Sequence, residues 1–79
     1  MNIIKTTKFL RFEEVEAQTR VAAISPRNYR VWNKKGVNLG WINYYEDWNK
    51  YVFSTAGDTI VFDMICLREI ANFLKELDS

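Results

Sequence analysis

Seventy-nine residues set a single domain near the lower size limit for an independent hydrophobic core, and three Gly with one Pro argue against a disordered chain. The absence of histidine removes the commonest general base and most zinc sites, and one cysteine allows no internal disulfide. Net charge is +1, but eight Lys/Arg against three Glu in residues 1–35 give +5, and three Lys/Arg against seven Asp/Glu in 36–79 give −4. Such a split either neutralises itself in the fold or leaves a basic face for an anionic partner.

No run of about 18 apolar residues predicts a membrane span. The start of the chain lacks an apolar signal-peptide core, so a cytoplasmic protein without membrane association is expected. Residues 1–8 read as a leader or an edge strand. Residues 9–12, with Phe9 and Phe12, read as a strand, and 13–19 are open between a short helix and a continuing strand. Residues 20–24 predict another strand, and Ser25-Pro26-Arg27-Asn28 a turn.

From Tyr29 to Phe53 lie eight of the twelve aromatics, divided among three expected strands: 29–33, 39–45 and 48–54. Asn33-Lys34-Lys35-Gly36 is the first turn between them, and Glu46-Asp47 marks a hairpin reversal. In the middle strand, Trp41, Asn43 and Tyr45 share a face with Leu39, while Ile42 and Tyr44 take the other. Both faces are therefore partly apolar. One helix covers only one of them, so the other must meet the N-terminal segment, a second copy or a partner. After a turn at Thr55-Ala56-Gly57-Asp58, residues 59–62 predict a short final strand.

The C-terminal helix has the clearest signals. Asp63 is an N-cap, its carboxylate able to accept from amides of the first turn. Phe62 and Leu67 are placed for a hydrophobic staple. Leu67, Ile70, Ala71, Leu74 and Leu77, widened by Cys66 and Phe73, form an apolar stripe, with Arg68, Glu69, Asn72, Lys75 and Glu76 on the other side. The expected fold is α+β: an antiparallel sheet of four or five strands, with the helix packed across one face. Val31, Ile42, Val52 and Phe53 are candidate partners for the stripe.

Catalytic chemistry is not expected. Glu46-Asp47 reads as a solvated turn, the isolated glycines match no phosphate loop, and Cys66 beside the apolar stripe reads as an inert thiol. No cofactor and no metal site is predicted. Non-catalytic macromolecular binding is the reading that remains. Arg30, Trp32, Lys34, Tyr44, Tyr45 and Trp48 are its candidate residues, because Trp, Tyr and Arg dominate interface energetics. A protein partner or self-association is favoured. The alternative is a single-stranded nucleic acid held by Arg/Lys and exposed aromatics.

Three stretches carry a resemblance: Val31-Trp32-Asn33-Lys34-Lys35-Gly36, Leu39-Gly40-Trp41-Ile42, and Trp48-Asn49-Lys50-Tyr51-Val52-Phe53. With the helix from Cys66 to Leu74, they resemble short proteins of phages, prophages and other mobile elements, a group without a settled activity. The resemblance covers residues 29–77 and rests on the order of elements, so it assigns no functional residue. It implies a β-meander closed by a C-terminal helix, in an accessory protein acting on host or phage machinery. Interference with a host defence complex falls within that expectation.

Overall fold

The computed structural model describes residues 2–15, 27–58 and 60–79. Five strands, β1 (Ile3–Thr6), β2 (Leu10–Val15), β3 (Asn28–Asn33), β4 (Asn38–Tyr45) and β5 (Lys50–Thr55), precede one helix, α1 (Met64–Asp78). The sheet is an antiparallel meander in which strands pair in chain order, β1-β2-β3-β4-β5. The expected strand at 20–24 and the Ser25-Pro26 turn lie outside the described residues. Of the segment 13–19, residues 13–15 continue β2, and 16–19 lie outside the described residues.

Local chemistry accounts for the reversals. Asn33 Oδ1 accepts from the Lys35 and Val37 amides, at 2.9 Å each, and Gly36 takes φ 85°, where a side chain would be strained. The second reversal spans residues 46–49, two longer than Glu46-Asp47. Trp48 N–H donates to Tyr45 O at 3.2 Å, Asn49 N–H to Glu46 O at 3.2 Å, and Asn49 adopts φ 53°. Asn tolerates that left-handed geometry, so Trp48 and Asn49 belong to the turn rather than to β5.

The core lies between the sheet and α1. Leu10 and Phe12 on β2, Tyr29 and Val31 on β3, and Ile42 on β4 are almost fully buried, and Ile70 and Phe73 reach them from the helix. Full burial of each such side chain contributes about 1.5–3 kcal/mol. Phe73 stacks on Phe12 (ring centroids 4.3 Å apart) and meets Tyr29 edge-on (5.2 Å). Val31, Ile42 and Phe53 face the helix as expected. Val52 does not: it pairs with Asn43 on the outer face.

The helix is rotated relative to the expected stripe. Ile70 and Phe73 are buried, Cys66, Leu74 and Leu77 pack beside them, and Leu67 and Ala71 face outward. Aromatic pairing outweighs a simple hydropathy count, because Phe73 has the larger surface to remove from water. Glu69 turns inward: Thr7 Oγ1 donates to its Oε1 at 2.6 Å. Phe62 packs edge-on against Phe53 (5.6 Å) rather than stapling to the exposed Leu67.

Of the strand expected at 59–62, Thr59 lies outside the described residues and 60–62 are not a strand. Ile60 and Phe62 pack on the core and Val61 points out, so the period of two is present without a ladder. Both edges of the sheet hold α1, through Lys5 of β1 paired with Glu76 and the Tyr51 amide of β5 donating to Asp78 Oδ1 at 3.0 Å.

Gly40 sits where β4 and β5 cross closely, so an added Cβ would lie 2.1 Å from Ser54 O and 2.8 Å from the Phe53 ring. Gly40→Ala is expected to destabilise by at least about 2 kcal/mol in denaturant unfolding, since backbone must move. Asp63 caps α1 as expected, its Oδ1 accepting from Cys66 N–H at 2.8 Å, and that hydrogen bond holds its carboxyl below the usual carboxylate range. A carboxyl lowered on folding adds stability above its unfolded value and loses it as pH falls through the folded one. Asp63→Asn, which caps without titrating, should therefore have a lower melting midpoint than the native chain near neutrality, with the gap shrinking as pH falls from the ordinary Asp value of about 3.9 towards the lower folded one.

Candidate functional site

The outer face of the sheet is built by alternation. Cross-strand register places Arg11 beside Trp32, Glu13 beside Arg30, and Arg30 beside Trp41. Farther along β4, Asn43 and Tyr45 continue the row opposite Val52 and Lys50 of β5. Among the described residues, no element packs over this face as α1 packs over the inner one.

A polar cluster organises its centre. Trp32 Nε1–H donates to Glu13 Oε1 at 2.9 Å, the same oxygen lies 4.0 Å from an Arg30 terminal nitrogen, and the Arg30 guanidinium sits 5.6 Å from the Trp32 ring centroid. Glu13 thereby fixes the indole and offsets the guanidinium. Arg30 Nε is buried and has no hydrogen-bond partner among the described residues. A buried unsatisfied donor costs free energy, so an acceptor brought to this point would be favoured.

The six expected residues do not form one patch. Arg30, Trp32 and Tyr45 share the outer face. Tyr44 is on the helix side, edge-on to Tyr51 (5.5 Å), with its hydroxyl donating to Asn49 Oδ1 at 3.3 Å. Lys34 lies in the β3–β4 turn, at the opposite end of β4 from the turn that holds Trp48. Trp48 is 64% exposed, and its ring meets Tyr45 edge-on at 4.9 Å. A hairpin-tip aromatic pair thus adjoins the outer face, while Tyr44 and Lys34 stand apart from it.

Trp41 and Val52 are outer-face residues that the sequence reading did not select as binding residues. Trp41 could have been found by its face, since it precedes Tyr45 by four positions, but a turn centred on Lys34-Lys35 would set Leu39 rather than Trp41 across from Arg30. A bulge between Val31 and Trp32 then shifts the pairing, and Leu39, expected beside Trp41, is buried in the core.

The other titratable groups with shifted pKa values lie away from this face. Burial, with a hydrogen bond from the thiol to Asp63 as a second cause, pushes the Cys66 thiol up, overriding the helix N-terminus. Burial likewise raises the Tyr51 phenol, with Tyr29 adding to it. Among the described residues, no group of three or more His, Cys, Asp or Glu is arranged to hold a metal ion, and no helix is long and apolar enough to cross a membrane. No protein-family model, curated protein or solved structure matches the chain.

With its thiolate disfavoured, Cys66 should alkylate slowly with iodoacetamide at pH 8 in the folded protein. It should react at the rate of a free cysteine after denaturation. Equal rates in both states would contradict the burial.

Proposed function

We propose that the chain is a non-catalytic binding module that engages a protein partner through the outer face of its sheet. The observation that carries this reading is the two-sided character of that sheet. The inner face is filled by α1, while the outer one presents Trp32, Trp41, Tyr45 and Val52 around a held guanidinium. Rigid aromatics and Arg supply contact area at low entropic cost, and Trp48 at the adjoining tip extends it. Carried by the resemblance alone, the setting we propose is a phage or mobile-element accessory protein acting on host or phage machinery.

Electrostatics favour protein over nucleic acid. Glu13 already partners Trp32 and faces Arg30, Lys34 and Lys35 are at the sheet's end, and net charge is only +1. Nucleic-acid affinity grows with the number of phosphates neutralised. The second reading, a single-stranded nucleic acid, rests on Arg11, Arg30 and Lys50 interleaved with the aromatics of the same face.

The test compares partners captured from the native host by the wild-type chain and by Trp41→Ala. The variant should keep its melting transition and bind its partner at least about 30-fold more weakly, about 2 kcal/mol. An unchanged partner set and affinity would remove the outer face from the interface. Quenching of tryptophan fluorescence by oligothymidylate that vanishes with added salt would replace protein with nucleic acid as the partner.

A further inference from the structure

The positive excess of residues 1–35 collects at one end of the sheet. Among the described basic residues of that stretch, Lys5 pairs with Glu76, Arg27 with Glu14, and Arg30 faces Glu13. Lys8, Arg11, Lys34 and Lys35 are exposed and form no ion pair among the described residues. Strand register gathers these four. Leu10 pairs with Asn33, so the β1–β2 turn carrying Lys8 adjoins the β3–β4 turn carrying Lys34 and Lys35. Arg11 projects outward between the buried Leu10 and Phe12, across from Trp32. Asn33 Oδ1 pins the second turn by accepting from the Lys35 and Val37 amides.

Carboxylates of the chain leave the cluster uncompensated. Glu69 reaches this end from α1, but it accepts from Thr7 Oγ1 at 2.6 Å and from the Phe9 amide at 3.4 Å. Asp58 follows β5, beyond β4, and pairs with none of the four among the described residues. Like charges gathered in this way repel one another, and a bound anion relieves that repulsion.

Two further features select the kind of anion. A cation already lies over a face of each neighbouring ring: Lys8 Nζ is 5.4 Å from the Phe9 centroid, and the Arg30 guanidinium 5.6 Å from that of Trp32. A nucleic-acid base needs an open ring face for stacking, whereas a carboxylate needs only the cations. Exposed Val37 (49%) and Phe9 (36%) flank the cluster and offer apolar contact suited to a polypeptide.

We infer that this end of the sheet docks an acidic segment of the protein partner. Its Asp and Glu carboxylates meet Lys8, Arg11, Lys34 and Lys35, and its apolar side chains meet Phe9 and Val37. The inference rests on the proposed outer-face interface, with which Arg11 beside Trp32 makes this end continuous. The charges set the partner's orientation along the face and speed its encounter.

The test titrates the full chain, labelled with nitrogen-15, with two probes of equal charge: a capped peptide of Glu-Asp-Leu repeats and oligothymidylate. The peptide should shift the amide signals of residues 8–11 and 34–37 and bind more tightly than the oligonucleotide. Its affinity should fall as salt rises from about 20 mM to about 200 mM, where the Debye length shortens from about 20 Å to about 7 Å. Arg11→Glu and Lys34→Glu should each weaken peptide binding at least about fivefold, whereas Lys75→Glu on α1 should leave it unchanged. Arg11 and Lys34 are exposed, so melting midpoints should hold, and Arg11→Gln and Lys34→Gln should weaken binding by less than the reversals do. No peptide binding, shifts confined to other residues, or an affinity indifferent to both reversals overturns the inference. Tighter oligonucleotide binding at the same residues also overturns it, by making this a phosphate site. Failure of the outer-face reading is seen separately, as partner binding untouched by Trp41→Ala.

Discussion

The placement of one ring, Phe73, governs the rest of this structure. It lies between Phe12 of β2 and Tyr29 of β3, stacked on the first and edge-on to the second. In so short a chain, each buried aromatic is a large share of the apolar area removed from water. Seating Phe73 inward fixes the rotation of α1, and that rotation carries Cys66, Ile70 and Leu77 toward the sheet and turns Met64, Leu67 and Ala71 out. The partly buried polar contact of Glu69 with Thr7 and the edge contacts at Glu76 and Asp78 are consistent with that one angle. Which helix side chains meet solvent is downstream of it.

Much of this arrangement was legible in the residues. Helix existence and start were readable because Asp63 follows an aromatic and precedes a run with helical periodicity, and the strands from Tyr29 onward were bounded by turn chemistry at Asn33-Gly36. The angle of the helix was not readable. Leu67 and Ala71 fit the stripe as well by hydropathy as Cys66 and Phe73 do, and only the tertiary fit of Phe73 decides between them. Residues 60–62 show a related limit: an extended crossover that seats Ile60 and Phe62 has the same alternation as a paired strand. The candidate site was legible in part. Arg30 and Trp32 sharing a face follows from a period of two, whereas the separation of Tyr44 and Lys34 from it depends on hairpin register and sheet length.

The outer face has a charge design of its own. Glu13 is the carboxylate at its centre, and one of its oxygens serves both the Trp32 indole and the Arg30 guanidinium. A long, flexible arginine is thereby held over an aromatic ring rather than extending into solvent, so under the proposed function less entropy would be lost on docking. The same arrangement leaves Arg30 Nε without an acceptor among the described residues. On the proposed reading, such a face would favour a partner that brings a hydrogen-bond acceptor along with apolar contact over a purely hydrophobic one.

The strict succession of strands has a kinetic consequence. Because every strand pairs with its neighbour in the chain, most of the ladder forms from contacts local in sequence, and little loop-closure entropy must be spent before each hairpin stabilises the next. The longest-range step is the return of α1 to β1 and β2, where Glu76 and Phe73 meet residues more than sixty positions earlier. A meander can zip early and still remain open on one side until that return. Docking of the fifteen-residue helix is then the step that closes the longest loop, and the core is sealed only once it is made.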